Sequence, residues 1–232
     1  AKRRVVTSPV EHHCVLRRLE HLQERGLIEV VFVPVNGQGM LDLDALDRAV
    51  TPDTALVSLM AANNETGVLW PLGDIAALVK SKGALWHCDA VQLVGKELLS
   101  LRDAPADYLT VSAHKFHGPK GVGALYVGRG APFTPLVFGG GQESGRRAGT
   151  HNVAGIVGFG QAAALAQAFL SVDGPGRLRA LRDRLEDGIL AAVADATVHG
   201  SQSPRLANTL SLAVAGAPQE VLLAELDDRD FA

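Results

Sequence analysis

Short apolar runs alternate with amphipathic stretches through the first half of the chain. The apolar runs begin near Arg4, Ile28, Thr54, Ala84 and Tyr108, so that one follows another after roughly 25 to 30 residues. Strands separated by helices in this way are typical of βαβ units. The pattern therefore predicts an α/β fold with a mostly parallel sheet flanked by helices.

Helical patterns and helix start signals fall between these runs, where the helices that connect the parallel strands should lie. Leu16, Leu19 and Leu22 share one face of the first predicted helix. Asp42 is suited to cap the second helix, because its side chain can accept a hydrogen bond from a free backbone N–H group. Pro71 stands where a first-turn proline is favoured in the third helix.

The next apolar run, residues 122–127, follows the strand at residues 108–112 after only a Gly-rich loop. A parallel pair of strands needs a crossover of about a dozen residues or more. Because the spacing here is too short for a helical crossover, we predict that residues 122–127 form an antiparallel strand.

The character of the chain changes after Asn152, where long Ala- and Leu-rich stretches predict helices. Residues 172–176 (Val-Asp-Gly-Pro-Gly) are the favoured linker, because Gly and Pro interrupt helices. Beyond the linker we predict the start of a smaller α+β domain, with a strand at residues 208–214 and a helix from about Pro218.

Composition limits the kind of protein that this can be. Of the 232 residues, 47% are hydrophobic and 20% are charged, which is ordinary for a soluble globular protein. A net charge of −3 and the lack of a basic block argue against a nucleic-acid partner. Two cysteines, Cys14 and Cys88, cannot form a disulfide framework, so we expect a reducing cytoplasm.

One segment is long enough to span a bilayer. Residues 148–172 carry no Asp, Glu, Lys or Arg. The same segment contains His151, Asn152, glutamines and glycines. We therefore expect a loop followed by an Ala-rich helix rather than a membrane span.

Two polar residues mark the ends of neighbouring strands in the predicted sheet. Lys115 lies just past the strand at residues 108–111, and Asp89 lies just past the strand at residues 84–88. In an open α/β sheet, ligands bind in the crevice outside the carboxyl ends of the strands. A lysine that forms a Schiff base, with an acidic partner for a pyridine nitrogen, is what pyridoxal 5'-phosphate (PLP) requires. Gln92 follows closely enough to bond the phenolic oxygen of the ring.

The residues around Lys115 fit this interpretation and also allow others. Ser112 and His114 could donate hydrogen bonds to the phosphate of PLP. Taken alone, a lysine such as Lys115 is more often an exposed loop lysine, and Asp89 could equally cap a short helix. The spacing of His114 and His117 also occurs in zinc sites, but without a cysteine or a third ligand nearby we expect no metal.

Three other segments fall at loops that should face a ligand. His12 and His13 follow the first strand, where an imidazole could stack on the cofactor ring and exchange protons with a substrate. Asn63-Asn-Glu-Thr-Gly67 follows a very apolar strand, and the Gly- and Arg-rich loop at residues 139–150 could bring backbone amides to an anion. Each segment by itself is also compatible with an ordinary turn.

The order of these segments along the chain resembles the NifS/IscS-type cysteine desulfurases, which are class V aminotransferase-like, fold-type I PLP enzymes. The resemblance runs from about Val5 to the last residue. It implies a PLP-binding large domain at residues 1–172 and the beginning of a small C-terminal domain at residues 173–232. The motifs that carry it are Glu11-His-His13, Asn63-Asn-Glu-Thr-Gly67, His87-Cys-Asp-Ala-Val-Gln92, Ser112-Ala-His-Lys115 with Gly118-Pro-Lys-Gly121, and the loop Gly139–Thr150.

The resemblance assigns roles to single residues. Lys115 is similar to the lysine that binds PLP covalently and removes a proton from the substrate. His12 is similar to the histidine that stacks on the ring and takes part in catalysis, and Asp89 to the partner of the pyridinium nitrogen. The other cofactor-binding residues implied in this way are Asn64, Gln92, Ser112, His114 and Thr150, the last reaching the phosphate of the neighbouring subunit in a homodimer.

The reaction implied by the resemblance converts L-cysteine to L-alanine and passes the sulfur, as an enzyme persulfide, to an acceptor protein. Iron–sulfur cluster assembly is one pathway served by such enzymes. The thiolation of tRNA, nitrogenase maturation and DNA phosphorothioation are others. The identity of the protein that accepts the sulfur therefore stays open. The resemblance further implies a homodimer. Together with the cysteine content, the net charge and the polar residues within 148–172, we expect a cytoplasmic homodimer with no direct nucleic-acid or membrane partner.

The resemblance also implies that some family features lie outside these 232 residues. These are the loop that cradles the phosphate, the nucleophilic cysteine and the arginine that holds the substrate carboxylate. Neither Cys14 nor Cys88 takes the place of the nucleophile by alignment, although Cys14 could have a lowered thiol pKa near a helix N-terminus and two histidines. We therefore expect a piece of a desulfurase, truncated at both ends, that alone binds PLP poorly and releases no sulfur.

Two alternatives stay open at this point. A selenocysteine lyase or another class V enzyme would use the same site on a different substrate. A non-catalytic PLP-fold fragment would act as a dimer scaffold through the loop at residues 139–150. Replacing Lys115 by alanine separates them, because an enzyme would lose its bound-cofactor spectrum whereas a scaffold would keep its partner.

Overall fold

The computed structural model describes residues 2–231, which contain two β-sheets and six α-helices. The strands are β1 (Arg4–Thr7), β2 (Glu29–Phe32), β3 (Thr54–Met60), β4 (Leu85–Asp89), β5 (Tyr108–Ser112), β6 (Gly123–Val127), β7 (Ala196–Val198) and β8 (Leu212–Val214). The helices are α1 (His13–Glu24), α2 (Leu43–Ala49), α3 (Leu72–Ser81), α4 (Val153–Ser171), α5 (Gly174–Ala192) and α6 (Gln219–Asp227).

The larger sheet has six strands in the order β2-β1-β3-β4-β5-β6. Strands β2, β1, β3, β4 and β5 are parallel to one another. Strand β6 is antiparallel to β5, with Ser112 opposite Gly123. The predicted α/β architecture and the predicted antiparallel strand are both confirmed.

The core of the large sheet is made by the apolar residues of the strand runs. Val6, Val57 and Leu59 have no exposed surface, and α3 buries Ile75 and Val79 in the same cluster. Burial of such side chains contributes roughly 1.5–3 kcal/mol each. Because this core holds the parallel strands side by side, their carboxyl ends lie along one edge of the sheet.

Two of the predicted helix starts can be compared directly with the structure. Asp42 caps α2, since its Oδ1 accepts a hydrogen bond from the backbone N–H of Ala45 at 2.8 Å. Pro71 was expected in the first turn of α3, but it is the residue before that turn. Its ψ of 81° is not helical, so α3 begins at Leu72.

The second half departs from the prediction in two places. The linker expected at residues 172–176 is shorter, because Asp173 caps α5 by accepting a hydrogen bond from Gly176 N at 3.2 Å. The strand expected at residues 208–214 is reduced to β8, and its antiparallel partner β7 was not predicted. β7 has three residues, which is too few to produce a recognisable alternation.

Helix α4 is the apolar helix expected within residues 148–172. Of its residues, Gly155 and Ala162 are buried. By length and composition alone, this helix could cross a membrane. The helix begins at Val153, so the preceding residues form a loop, as expected.

The chain after α5 returns to the larger sheet. Leu206 N donates a hydrogen bond to Gly67 O at 2.8 Å. Arg205 lies beside it and forms an ion pair with Glu186 of α5, with an N–O distance of 2.8 Å. These contacts attach α5 to the turn at residues 63–67, which follows β3.

Candidate active site

A cavity of about 270 Å³ opens at the carboxyl ends of the parallel strands. The residues that line it come from four separate stretches of the sequence, and most of them are the residues predicted to bind PLP. They are His12, Cys14, Met60, Ala62, Asn64, Asp89, Val91, Gln92, Ser112, His114 and Lys115.

Lys115 lies on a short 3-10 helix, Ala113–Phe116, that directly follows β5. The next residue, Phe116, is buried and packs on Phe159 of α4, with the ring centroids 5.6 Å apart. The backbone of Gly95 also lies close to Phe116. A Cβ atom added at Gly95 would be only 2.6 Å from the Cβ atom of Phe116. The packing of Phe116 therefore determines where the backbone of Lys115 is held.

Asp89 is the last residue of β4 and is 9% exposed. Its Oδ1 accepts a hydrogen bond from Val91 N at 3.0 Å. It pairs in register with Met60, the last residue of β3. It is also the one carboxylate among the described residues that line the cavity, so it is placed to hold a proton on a cationic ring nitrogen.

His12 caps the N-terminus of α1, and its Nδ1 accepts a hydrogen bond from Cys14 N at 3.2 Å. A nitrogen that accepts this bond carries no proton, so in the neutral ring the proton is on Nε2. The cap thus selects one tautomer. His13 lies outside the cavity lining, with its ring centroid 6.3 Å from that of His12.

The turn after β3 is organised by Asn63, which is not exposed to the cavity. Its Oδ1 accepts hydrogen bonds from the backbone N–H groups of Glu65 and Thr66 at 3.0 and 2.9 Å. Asn64 is the residue of this turn that lines the cavity. Its Nδ2 donates to the Glu65 carboxylate at 2.6 Å.

Lys96 is a residue that the sequence prediction missed. Its Nζ donates a hydrogen bond to Gln92 Oε1 at 2.7 Å. A lysine only donates, so this bond selects the amide orientation and leaves Gln92 Nε2 to donate elsewhere. Burial, and then the positive charge of Lys115, lower the pKa of Lys96. The four-residue spacing of Lys96 and Gln92 was the available signal.

The two predicted phosphate ligands contact each other at the end of β5. Ser112 Oγ lies 2.8 Å from His114 Nδ1. Both residues line the cavity. Because one of them donates to the other, a neutral imidazole leaves the pair with one donor for a ligand: either the Ser112 hydroxyl or the His114 Nε2–H group. Thr150, by contrast, is exposed and lies outside the cavity lining.

The two cysteines differ in burial. Cys88 is buried next to Asp89 in β4, and burial strongly raises the pKa of its thiol. Cys14 is exposed and lines the cavity. The expectation of a lowered thiol pKa for Cys14 is wrong, because partial burial and the charge of Asp89 raise its pKa.

Comparison with known proteins agrees with this geometry. The model of the family described as aminotransferase class-V matches residues 1–232. A cysteine desulfurase of Cereibacter sphaeroides is 51% identical over 227 residues, which is 98% of this chain and 58% of that protein. A cysteine desulfurase of Klebsiella pneumoniae is 46% identical over 231 residues, which is 100% of this chain and 57% of that protein.

Solved structures give the same result at the level of the fold. A NifS-like protein has a TM-score of 0.93 and 41% identity, with 98% of this chain and 62% of that chain covered. DndA from Streptomyces lividans has a TM-score of 0.86 and 36% identity, with coverages of 98% and 64%. The chain spans somewhat more than half of the length of the curated relatives that it matches. With the family model matched over its whole length, the chain belongs to the aminotransferase class-V family.

Proposed function

We propose that this chain supplies the PLP-binding site of a cysteine desulfurase. The observation that carries the proposal is that Lys115, Asp89 and His12 all line one cavity at the carboxyl ends of the parallel strands. The groups present fit PLP, because an amine suits its aldehyde, a carboxylate its pyridine nitrogen, and hydroxyl and imidazole groups its phosphate. The names of the similar curated proteins support L-cysteine as the substrate.

PLP, when bound, supplies an electron sink for negative charge that develops on the α-carbon of an amino acid. Lys115 would hold PLP through its amine and, when free, accept and return a proton at the substrate α-carbon. Asp89 would keep a proton on the pyridine nitrogen through its negative charge. Gln92 Nε2 would donate to the phenolic oxygen, since Lys96 occupies Oε1 of the same amide. His12 would offer its Nε2–H toward the bound molecules.

The wider roles belong to the same proposal. A thiolate of the desulfurase attacks the sulfur of L-cysteine, so that the C–S bond breaks, a persulfide forms and the carbon takes a proton to give L-alanine. The sulfur then passes to an acceptor such as an iron–sulfur scaffold protein. A cytoplasmic homodimer, in which Thr150 reaches the phosphate site of the partner, is proposed on the resemblance of the loop at residues 139–150.

The proposal is tested by adding PLP to the purified chain and recording its visible absorption spectrum. Because this chain alone is expected to bind PLP weakly, PLP is added in large excess, and we then expect a band of the bound cofactor that Lys115→Ala abolishes. Lys120→Ala is the matched control, because Lys120 is an exposed lysine of the same loop and lies outside the cavity lining. A band that survives Lys115→Ala, or is equally lost with Lys120→Ala, would contradict the assignment.

The substrate is tested on the PLP-loaded chain. Addition of L-cysteine should change the visible spectrum, because the amine of the amino acid would compete with that of Lys115 for the aldehyde of PLP. D-cysteine serves as the control, since it offers the same amine and thiol with the opposite arrangement at the α-carbon. An identical response to both would argue against a site shaped for L-cysteine.

A further inference from the structure

Glu11 is a buried carboxyl group that the proposed mechanism does not use. It lies in the turn between β1 and α1, directly before His12, and is 4% exposed. Its Oε1 accepts a hydrogen bond from Met60 N at 2.7 Å. Its Oε2 is buried and has no hydrogen-bond partner among the described residues. One side chain therefore joins the His12 turn to the last residue of β3.

The surroundings of Glu11 disfavour a negative charge. Met60, which donates to Glu11, is paired in register with Asp89, so the two carboxyl groups share one end of the sheet. The titratable groups that interact with Glu11 are Asp89 and Cys88 from β4 and Cys14 from α1. None of these three groups is a cation. An ionised carboxylate with one donor in such a place is very costly. The neutral acid leaves one hydroxyl without a partner, which costs less than an uncompensated charge.

We propose that Glu11 is a positioning residue that remains protonated in the folded chain. In this state it ties the His12 turn to the end of β3 without placing a second negative charge beside Asp89. The site then contains one ionised carboxylate for the ring nitrogen rather than a mutually repelling pair. The consequence for PLP rests on the proposed function, but the protonation of Glu11 does not.

The electrostatics of the folded chain agree with this assignment. Burial raises the pKa of Glu11 from its ordinary 4.5 to about 8. The hydrogen bond from Met60 lowers this pKa, and the negative charge of Asp89 raises it further. In the unfolded chain Glu11 ionises above its ordinary pKa, while the folded chain keeps the proton. Folding stability contributed by Glu11 is thus fully present below pH 4.5 and is lost as the pH rises to about 8.

The first experiment uses the cofactor-free chain and compares wild type with Glu11→Gln, the neutral isostere of the protonated acid. Between pH 5 and 8, the unfolding equilibrium constant of the wild type should rise relative to that of Glu11→Gln by up to about tenfold per pH unit. His87 is buried with a lowered pKa, which gives an opposite dependence in part of this range. That contribution is common to both proteins and cancels in the comparison.

The matched control is Glu24→Gln, because Glu24 is an exposed glutamate of α1. It makes the same chemical replacement at a side chain in solvent and should leave the pH dependence of unfolding unchanged. If Glu11→Gln and Glu24→Gln show the same pH dependence as the wild type, Glu11 is ionised in the folded chain and the proposal is wrong.

The second measurement needs no folded variant. The infrared spectrum of the wild type in heavy water at neutral pH should contain the C=O stretch of one protonated carboxylic acid, and this band should disappear as the pH is raised through about 8. Glu11→Gln should lack the band and Glu24→Gln should keep it. A wild-type spectrum without the band at neutral pH would overturn the proposal even if Glu11→Gln did not fold.

The link to the cofactor is tested by the dissociation constant of PLP, measured by fluorescence titration. Glu11→Leu removes the acceptor for Met60 N, whereas Glu11→Gln keeps it. The dissociation constant of PLP should therefore be roughly twofold to tenfold higher for Glu11→Leu than for Glu11→Gln, which corresponds to one hydrogen bond. Equal binding by the two variants would overturn the positioning role. Failure of the wild type to bind PLP even in large excess would refute the proposed function instead, while the unfolding and infrared measurements would still decide the state of Glu11.

Discussion

At the residue scale, the site depends on which atoms of each polar side chain are already engaged. His12 Nδ1 and Asp89 Oδ1 accept hydrogen bonds from backbone N–H groups of their own loops. Gln92 Oε1 accepts one from Lys96. The atoms left to meet a ligand are therefore His12 Nε2, Asp89 Oδ2 and Gln92 Nε2. These residues line the cavity, so their free atoms offer it a donor, a negatively charged acceptor and a second donor.

The contact of Lys96 with Gln92 leads to a prediction at this scale. Lys96→Met keeps most of the apolar stem but removes the donor, so the Gln92 amide is free to turn over. PLP affinity should fall by roughly twofold to tenfold, corresponding to one hydrogen bond. Fluorescence titration with PLP measures the change. Lys80→Met, at an exposed lysine of α3, is the control, and an equal loss in both variants would argue against a role for Lys96.

At the scale of elements, the site is built where strands end and turns or short helices begin. Phe116 fixes the position of the 3-10 helix that carries Lys115. Its ring packs against Phe159 of α4, and its Cβ lies close to the backbone of Gly95. Gly95 has a φ of +81°, which an L side chain rarely adopts. Backbone conformation and close approach both favour glycine there.

Gly95→Ala should therefore destabilise the chain by two separate effects. The new methyl group would meet Phe116, which costs about 1–3 kcal/mol for overpacking, and the positive φ adds about 1–2 kcal/mol. Gly130→Ala separates the two effects, because Gly130 has a φ of +84° and no atom within 4 Å of an added Cβ. Urea unfolding should give a clearly larger loss for Gly95→Ala than for Gly130→Ala. Equal losses would mean that contact with Phe116 does not matter.

At the scale of the whole molecule, α5 and the chain after it are attached to the turn at residues 63–67 by the segment around Arg205. The side chains of Arg205 and Glu186 are 6% and 14% exposed, so their ion pair is almost fully buried. Arg205 Nη1 has no hydrogen-bond partner among the described residues. Removal of the carboxylate would leave the buried guanidinium without its counter-charge.

Glu186→Gln should accordingly lower the free energy of unfolding by about 3–5 kcal/mol, the cost of breaking a buried ion pair from one side. The control is Glu225→Gln in α6, where the pair with Arg229 is exposed at 62% and 71%. Such surface pairs contribute about 0–1 kcal/mol. Both values are measured by urea unfolding at neutral pH. If Glu186→Gln lowers the free energy of unfolding by less than about 1 kcal/mol, water solvates the charge of the Arg205 guanidinium and the prediction is wrong.

Much of the larger sheet could be predicted because its signals are local. The spacing of the apolar runs, the cap at Asp42 and the short loop before β6 each depend on neighbouring residues only. The part around β7 and β8 was predicted poorly. These strands have three residues each and are stabilised by pairing with each other, which local patterns do not report.

The sequence by itself determined the order of the elements and the chemical groups at the strand ends, because periodicity, caps and motif residues are properties of short stretches. Only the tertiary structure decided which of these groups meet. Glu11 reaches Met60, 49 residues away, because β1 and β3 are neighbours in register. Lys96 selects the orientation of Gln92 because the turns after β4 place them together. Such contacts depend on strand order and register, which result from packing of the whole sheet rather than from any single segment.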